Sequence, residues 1–118
     1  EPIFPLAALH ILRGTPAVYT LRSAGSGKEV HSHFCRTCAT RTHLTFERWP
    51  DTCGIYARTL VDPAWFPMQP DSVRHIFTAL ARPDTVLPAG VRCFAAHTTL
   101  NDEPEPATVH AAAHLIGR

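Results

Sequence analysis

The sequence has 118 residues, 45% of them hydrophobic and 18% charged, which is the size and composition of one small globular domain. Its formal net charge of +1 gives no electrostatic basis for binding nucleic acid or an anionic membrane. No apolar run approaches the roughly 18 residues of a membrane-spanning helix, and the first residues lack a signal-peptide pattern. Because the four cysteines are then typical of thiols and metal ligands rather than of disulfides, we expect a cytoplasmic protein.

The first half of the chain alternates apolar and polar residues, which is the pattern of half-buried β-strands. Gly14 is expected in a turn, residues 24–28 are expected to form a hairpin loop, and Gly54 is expected at a bulge or a close-approach point. Strands are predicted at residues 8–12, 17–23, 29–35, 42–48 and 52–60.

The second half of the chain has weaker signals. Residues 73–81 fit either a strand or a helix, and residues 91–95 predict a short strand. Residues 101–106 are acidic and broken by proline, and the Ala- and His-rich stretch that follows is at best a marginal helix. We therefore predict a mainly β domain over residues 1–98 and a flexible acidic and Ala/His-rich tail over residues 99–118.

The most informative stretch is residues 29–46, EVHSHFCRTCATRTHLTF, in which a Cys-x-x-Cys pair lies between two alternating segments. Thiols three positions apart on a tight turn can lie about 3.5–4 Å apart, which is the edge of a tetrahedron around zinc. We therefore predict that Cys35 and Cys38 bind Zn²⁺. The alternatives are free thiols or a redox pair, and the redox pair is disfavoured because no amphipathic helix follows. Structural zinc needs four protein ligands, and this pair supplies two.

Four other residues, two histidines and two cysteines, could have either a functional or a structural role. His33 shares a strand face with Cys35 and is a weak candidate for a further zinc ligand; the alternative is an exposed residue of the sheet. His75 is a weak candidate for a catalytic residue; the alternative is a histidine that braces a loop through a backbone hydrogen bond. Cys53 and Cys93 are expected to be buried small hydrophobic residues.

Several short motifs occur in an order that is fairly specific when they are taken together. Each of them is weak alone. They are Arg13-Gly14-Thr15-Pro16, Phe34-Cys35-x-x-Cys38, Thr59-Leu60-x-Asp62-Pro63, His75-Ile76-Phe77 and Leu87-Pro88. In these motifs the chain resembles the glutathione-dependent formaldehyde-activating enzymes and the centromere protein V-like domains, over residues 8–94.

This resemblance implies an Mss4-like fold, in which short antiparallel sheets surround a zinc knuckle. It implies a structural zinc held by four thiolates and a catalytic zinc held by three cysteines with an open position. The activity implied is that of a carbon–sulfur lyase run in reverse, which joins an aldehyde such as formaldehyde to a thiol such as glutathione. His75 would then lie near the catalytic zinc or the bound thiol.

The chain departs from the family pattern at the cysteines that would bind the catalytic zinc. It has no cysteine before Cys35. We therefore expect either an N-terminally truncated chain or a lineage that lost the N-terminal cysteine-rich segment with its catalytic cysteines. Ala39 stands where the family usually has glycine, and a positive φ there would cost about 1 kcal/mol. The alternatives to an enzyme are a non-catalytic zinc-binding module that stabilises a protein-interaction surface and a degenerate, metal-free member.

Overall fold

The computed structural model describes residues 1–62, 64–66, 68–100 and 103–117 of the chain. These residues form mainly antiparallel β-sheets, which confirms the predicted fold class at that level. The chain divides into two compact units, Glu1–Trp65 and Phe66–Arg118, where the sequence predicted one domain followed by a tail. None of the helices in the described part of the chain has the length or apolar character that crossing a bilayer requires.

The first unit is built on a five-stranded antiparallel sheet with the strand order β1-β5-β4-β3-β2. Its strands are β1 (Ile3–Pro5), β2 (Ala17–Arg22), β3 (Glu29–Phe34), β4 (Arg41–Phe46) and β5 (Thr52–Ile55). The alternating segments of the sequence became β2, β3 and β4 because each has one face to bury, and consecutive strands joined by short loops pair as neighbours.

The β2–β3 hairpin is in register along its whole length, from Ala17 opposite Phe34 to Arg22 opposite Glu29. The predicted loop closes it: the Ser23 amide donates to the Lys28 carbonyl at 2.8 Å. Gly27 supplies the positive φ of 67° that this loop needs. Outside the loop, the Arg22 guanidinium and the Glu29 carboxylate form an exposed ion pair at 3.0 Å.

Two of the predicted strands differ from the structure. The edge strand β1 comes earlier than the predicted strand at 8–12, and it is followed by a 3-10 helix over Leu6–Ala8. Pro5 is tolerated in β1 because an edge strand does not need every amide for pairing. The predicted strand at 52–60 ends at Ile55, after which Ala57–Thr59 form a second 3-10 helix.

The second unit consists of very short strands in three small sheets. Its strands are β6 (Arg74–His75), β7 (Val86–Leu87), β8 (Arg92–Cys93), β9 (Thr99–Leu100), β10 (Glu103–Pro104), β11 (Thr108–Val109) and β12 (His114–Leu115). The stretch that fitted either a strand or a helix holds β6 and a 3-10 helix over Thr78–Leu80. The buried apolar residues of this unit are Leu87, Val91, Cys93 and Phe94, and the predicted burial of Cys53 and Cys93 is confirmed.

The segment predicted to be a flexible tail carries strands of the second unit instead. β11 pairs with β8 and β12 pairs with β7, both antiparallel. Asn101 and Asp102, part of the acidic stretch, lie outside the described residues. The sequence did not reveal these strands because each is two residues long, and such a strand is defined by a distant partner rather than by its own alternation.

Gly54 occupies the close-approach position that the sequence predicted. A Cβ atom there would meet Ile3 Cδ1 and Phe46 Cζ, each at 3.4 Å. Gly25, in the β2–β3 loop, has no atom within 4 Å of the same position. The two glycines are therefore a matched pair for testing how tightly this part of the sheet is packed.

We expect Gly54→Val to lower the free energy of unfolding by about 1–3 kcal/mol, because the added methyl groups overpack a filled site. Gly25→Val should change it by no more than about 0.5 kcal/mol. Urea denaturation followed by circular dichroism measures both values. Equal effects of the two substitutions would contradict the packing described for Gly54.

Candidate functional site

The two predicted zinc ligands lie in one turn, between the end of β3 and the start of β4. The Cys35 amide donates to the Thr40 carbonyl at 2.9 Å, and the Ala39 amide donates back to the Cys35 carbonyl at 2.9 Å. These bonds close a compact loop over residues 35–40, which we call the knuckle. Both cysteines are free thiols; Cys35 is half-buried and Cys38 is exposed.

The surroundings of the Cys35 sulfur favour its thiolate form. The backbone amide of Cys38, followed by the amide of Thr37 and the thiol of Cys38, lowers the pKa of the Cys35 thiol. Each of these donors stabilises the thiolate more than the thiol, and the thiolate is the form that binds metal. The Cys38 sulfur lies 3.1 Å from the Thr40 hydroxyl oxygen.

Ala39, the residue after the second cysteine, has the backbone conformation that the resemblance to the family pattern implied. Ala39 has a φ of 57°, in the left-handed region that glycine adopts without strain. The expected cost of alanine at this position therefore has its structural basis. The side chain of Arg36, within the same loop, donates from Nε to the Thr15 carbonyl at 3.1 Å, which fastens the knuckle to the turn near Gly14.

The donors present in the knuckle fit half of a structural zinc site. Two thiols on a turn, one of them with a lowered pKa, have the ligand type and spacing that zinc prefers. Among the described residues, no group of three or more His, Cys, Asp or Glu side chains is arranged to hold a metal ion. The knuckle itself supplies two of the four ligands that a structural zinc site requires.

The structure places His33 against another histidine. Its ring stacks on His43, the residue opposite it on β4, with ring centroids 4.1 Å apart and an interplanar angle of 11°. His33 Nε2 lies 2.9 Å from the Thr45 hydroxyl oxygen. Burial, and secondarily a neighbouring histidine, lowers the pKa of both His33 and His43, so both are neutral near pH 7.

His43 is a residue that the sequence did not single out. Its backbone follows a β-bulge: His33 faces His43 but Phe34 faces Arg41, which leaves Thr42 as the extra residue. The Thr42 hydroxyl donates to the His33 carbonyl at 3.2 Å and lies 3.0 Å from His43 Nδ1. Since that hydroxyl has one proton to give, His43 Nδ1 must be the donor, and Nε2 of the neutral ring is an acceptor.

His75 lies in the second unit, on β6, where it pairs in parallel with Cys93 of β8. Its carbonyl accepts a hydrogen bond from the Phe94 amide at 2.9 Å. Its Nε2 atom is buried and has no hydrogen-bond partner among the described residues. The ring therefore does not brace a loop through Nε2, and a catalytic role for His75 stays a prediction.

We compared the chain with protein-family models, curated proteins and solved structures, and none of them matches it. The resemblance to the formaldehyde-activating enzymes therefore stays a prediction from the motifs. The metal centre also stays a prediction, which rests on the Cys-x-x-Cys spacing and on the closed loop that holds the two thiols.

Replacing Ala39 by glycine should remove the strain at this position. We expect Ala39→Gly to raise the free energy of unfolding by about 1 kcal/mol, because glycine adopts a positive φ without a Cβ clash. Ala24, in the β2–β3 loop, is the matched control, since its φ is not positive. Ala24→Gly should leave stability unchanged or lower it by up to about 1 kcal/mol. Stabilisation by both variants would show that φ at residue 39 is not the cause.

The rate at which each cysteine is alkylated should depend on the pKa of its thiol and on its burial. We expect Cys35 of the metal-free protein to react with iodoacetamide with a pH midpoint below that of N-acetylcysteine, because the amides and side chains of Cys38 and Thr37 lower the pKa of its thiol. Cys53 should stay unmodified until the protein unfolds, since it is fully buried and burial raises its pKa. Peptide mass spectrometry measures the rate at each cysteine. A Cys35 midpoint at or above that of N-acetylcysteine would contradict the lowered pKa of Cys35.

Proposed function

We propose that this chain is a zinc-binding β protein and that the knuckle supplies two thiolate ligands, Cys35 and Cys38. The observation that carries the proposal is the loop closed by two hydrogen bonds that holds both free thiols, in which backbone amides lower the pKa of the Cys35 thiol. Such amides serve two purposes in a metal site: they lower the proton affinity of the sulfur, and they hold it in place before the ion arrives. An ordinary surface turn has no need of either property.

The reaction proposed for the intact protein is the addition of a thiol, such as glutathione, to an aldehyde, such as formaldehyde. The sulfur–carbon bond forms as the carbonyl π bond becomes an oxygen lone pair, and the proton that leaves the thiol is taken up by that oxygen. Nothing is oxidised or reduced. A bound zinc would supply Lewis-acid chemistry. This part of the proposal is supported by the motif resemblance and by the knuckle as one half of a zinc site.

The second candidate function is a non-catalytic zinc-binding module that presents a surface to a protein partner. It is favoured by the position of the ligands, since Cys38 and the rest of the loop tip from Arg36 to Thr40 are exposed. Zinc there would stabilise the turn between β3 and β4 and would need no open position for a substrate. A thiol and an aldehyde would then not be its ligands.

The number of zinc ions bound per chain distinguishes the two candidate functions. We would measure it by elemental analysis of the purified protein. About two zinc ions per chain are expected for the enzyme and about one for the binding module. Cys35→Ser and Cys38→Ser should each remove one zinc and lower the melting temperature sharply, because structural zinc contributes folding energy directly.

Cys93→Ala is the control for that experiment. Cys93 belongs to the second unit, so its replacement should leave the zinc content unchanged. The enzyme is tested separately by adduct formation between glutathione and formaldehyde. Zinc binding without adduct formation would support the module. A protein without zinc, in which Cys35→Ser melts within about 1 °C of the parent, would contradict both functions.

A further inference from the structure

A cavity of about 570 Å³ lies in the first unit, over one face of the five-stranded sheet. Phe4, Cys53 and Ile55 belong to strands β1 and β5 and form part of its floor. The segment from Ala8 to Arg13 contributes to its wall. Trp65 lines it as well and stacks on Phe4 with ring centroids 5.7 Å apart. The volume is within the range of about 300–1,000 Å³ that is usual for small-molecule sites.

The apolar lining of this cavity includes side chains that are exposed to solvent. Leu12 is 94% exposed and Ile11 is 51% exposed, although both are large and apolar. Exposed apolar groups around a concave surface lose contact with water when an apolar molecule binds, which is a favourable change in free energy. The body of the ligand that this cavity fits is therefore apolar.

Charge at the cavity has one sign only. Arg13 is the sole Asp, Glu, Lys or Arg side chain among the described residues that line it. The Arg13 guanidinium has no hydrogen bond or ion pair with any side chain or carbonyl in the described part of the chain. No carboxylate side chain is among the described lining residues, so the cavity attracts an anion and repels a cation.

We propose that this cavity binds a small molecule with an apolar body and one carboxylate, whose anionic end pairs with Arg13. The Arg13 guanidinium matches a carboxylate in a bidentate geometry. The neutral His43 ring leaves most of the cavity uncharged, which suits the apolar body. This site goes beyond the proposed function, because it needs neither zinc nor a thiol.

The test uses three probes that share one ten-carbon chain: decanoate, decan-1-ol and decylammonium. Binding to the full chain would be measured by isothermal titration calorimetry at low ionic strength. We expect saturable binding of decanoate at one site per chain, about tenfold tighter than decan-1-ol, with decylammonium weakest. The preference for decanoate should shrink as salt is added, because the Arg13 side chain is exposed.

Two variants test the residues that carry the proposal. Arg13→Gln should make decanoate and decan-1-ol bind about equally, whereas Arg58→Gln, an exposed arginine of the same unit outside the cavity, should change nothing. Leu12→Glu should weaken decanoate at least tenfold and favour decylammonium. Both cavity positions are exposed, so the variants should fold.

Three results would overturn the proposal. The first is the absence of saturable binding by any probe, as expected if the cavity is covered by another polypeptide segment. The second is equal affinity for decanoate and decan-1-ol in the parent protein, which would make the site apolar without selectivity for an anion. The third is a decanoate preference that survives Arg13→Gln. None of these results bears on the zinc content, so the two proposals fail separately.

Discussion

The pairing of β3 with β4 is the constraint on which the rest of the first unit depends. It fixes the knuckle, because the two strands end where the Cys35 amide meets the Thr40 carbonyl, and the loop between them then directs amides at one sulfur. The same pairing sets His33 opposite His43 and produces their stack. A shift of register by one residue would move these side chains to the opposite face of the sheet.

The bulge at Thr42 connects the knuckle to the cavity. A regular ladder would pair Phe34 with Thr42; the extra residue instead lets Thr42 bond to the His33 carbonyl and fix the tautomer of His43. Thr42 and His43 are consecutive, yet both line the cavity, because the bulge interrupts the alternation of side chains. One local irregularity therefore contributes both to a polar network and to the lining of the cavity.

The sequence predicted those parts of the structure that depend on local patterns. Alternation located β2, β3 and β4, the Cys-x-x-Cys spacing located the knuckle, and Ala39 was identified as a residue in a glycine conformation. What it missed depends on distant partners. The two-residue strands β11 and β12 exist through pairing with β8 and β7, and the bulge at Thr42 is visible only once β3 and β4 are aligned. The cavity assembles residues from Phe4 to Trp65, which no window of sequence contains.

The most direct test of the metal centre is X-ray absorption at the zinc edge of the intact protein as purified. We expect a shell of at least two sulfur atoms at about 2.3 Å from the metal, because Cys35 and Cys38 are the ligands that we propose. In a Cys35→Ser, Cys38→Ser double variant the zinc of this site should be lost, and its sulfur shell with it. A shell of nitrogen and oxygen alone at about 2.0–2.2 Å, or the same sulfur count in the parent and the double variant, would contradict the account.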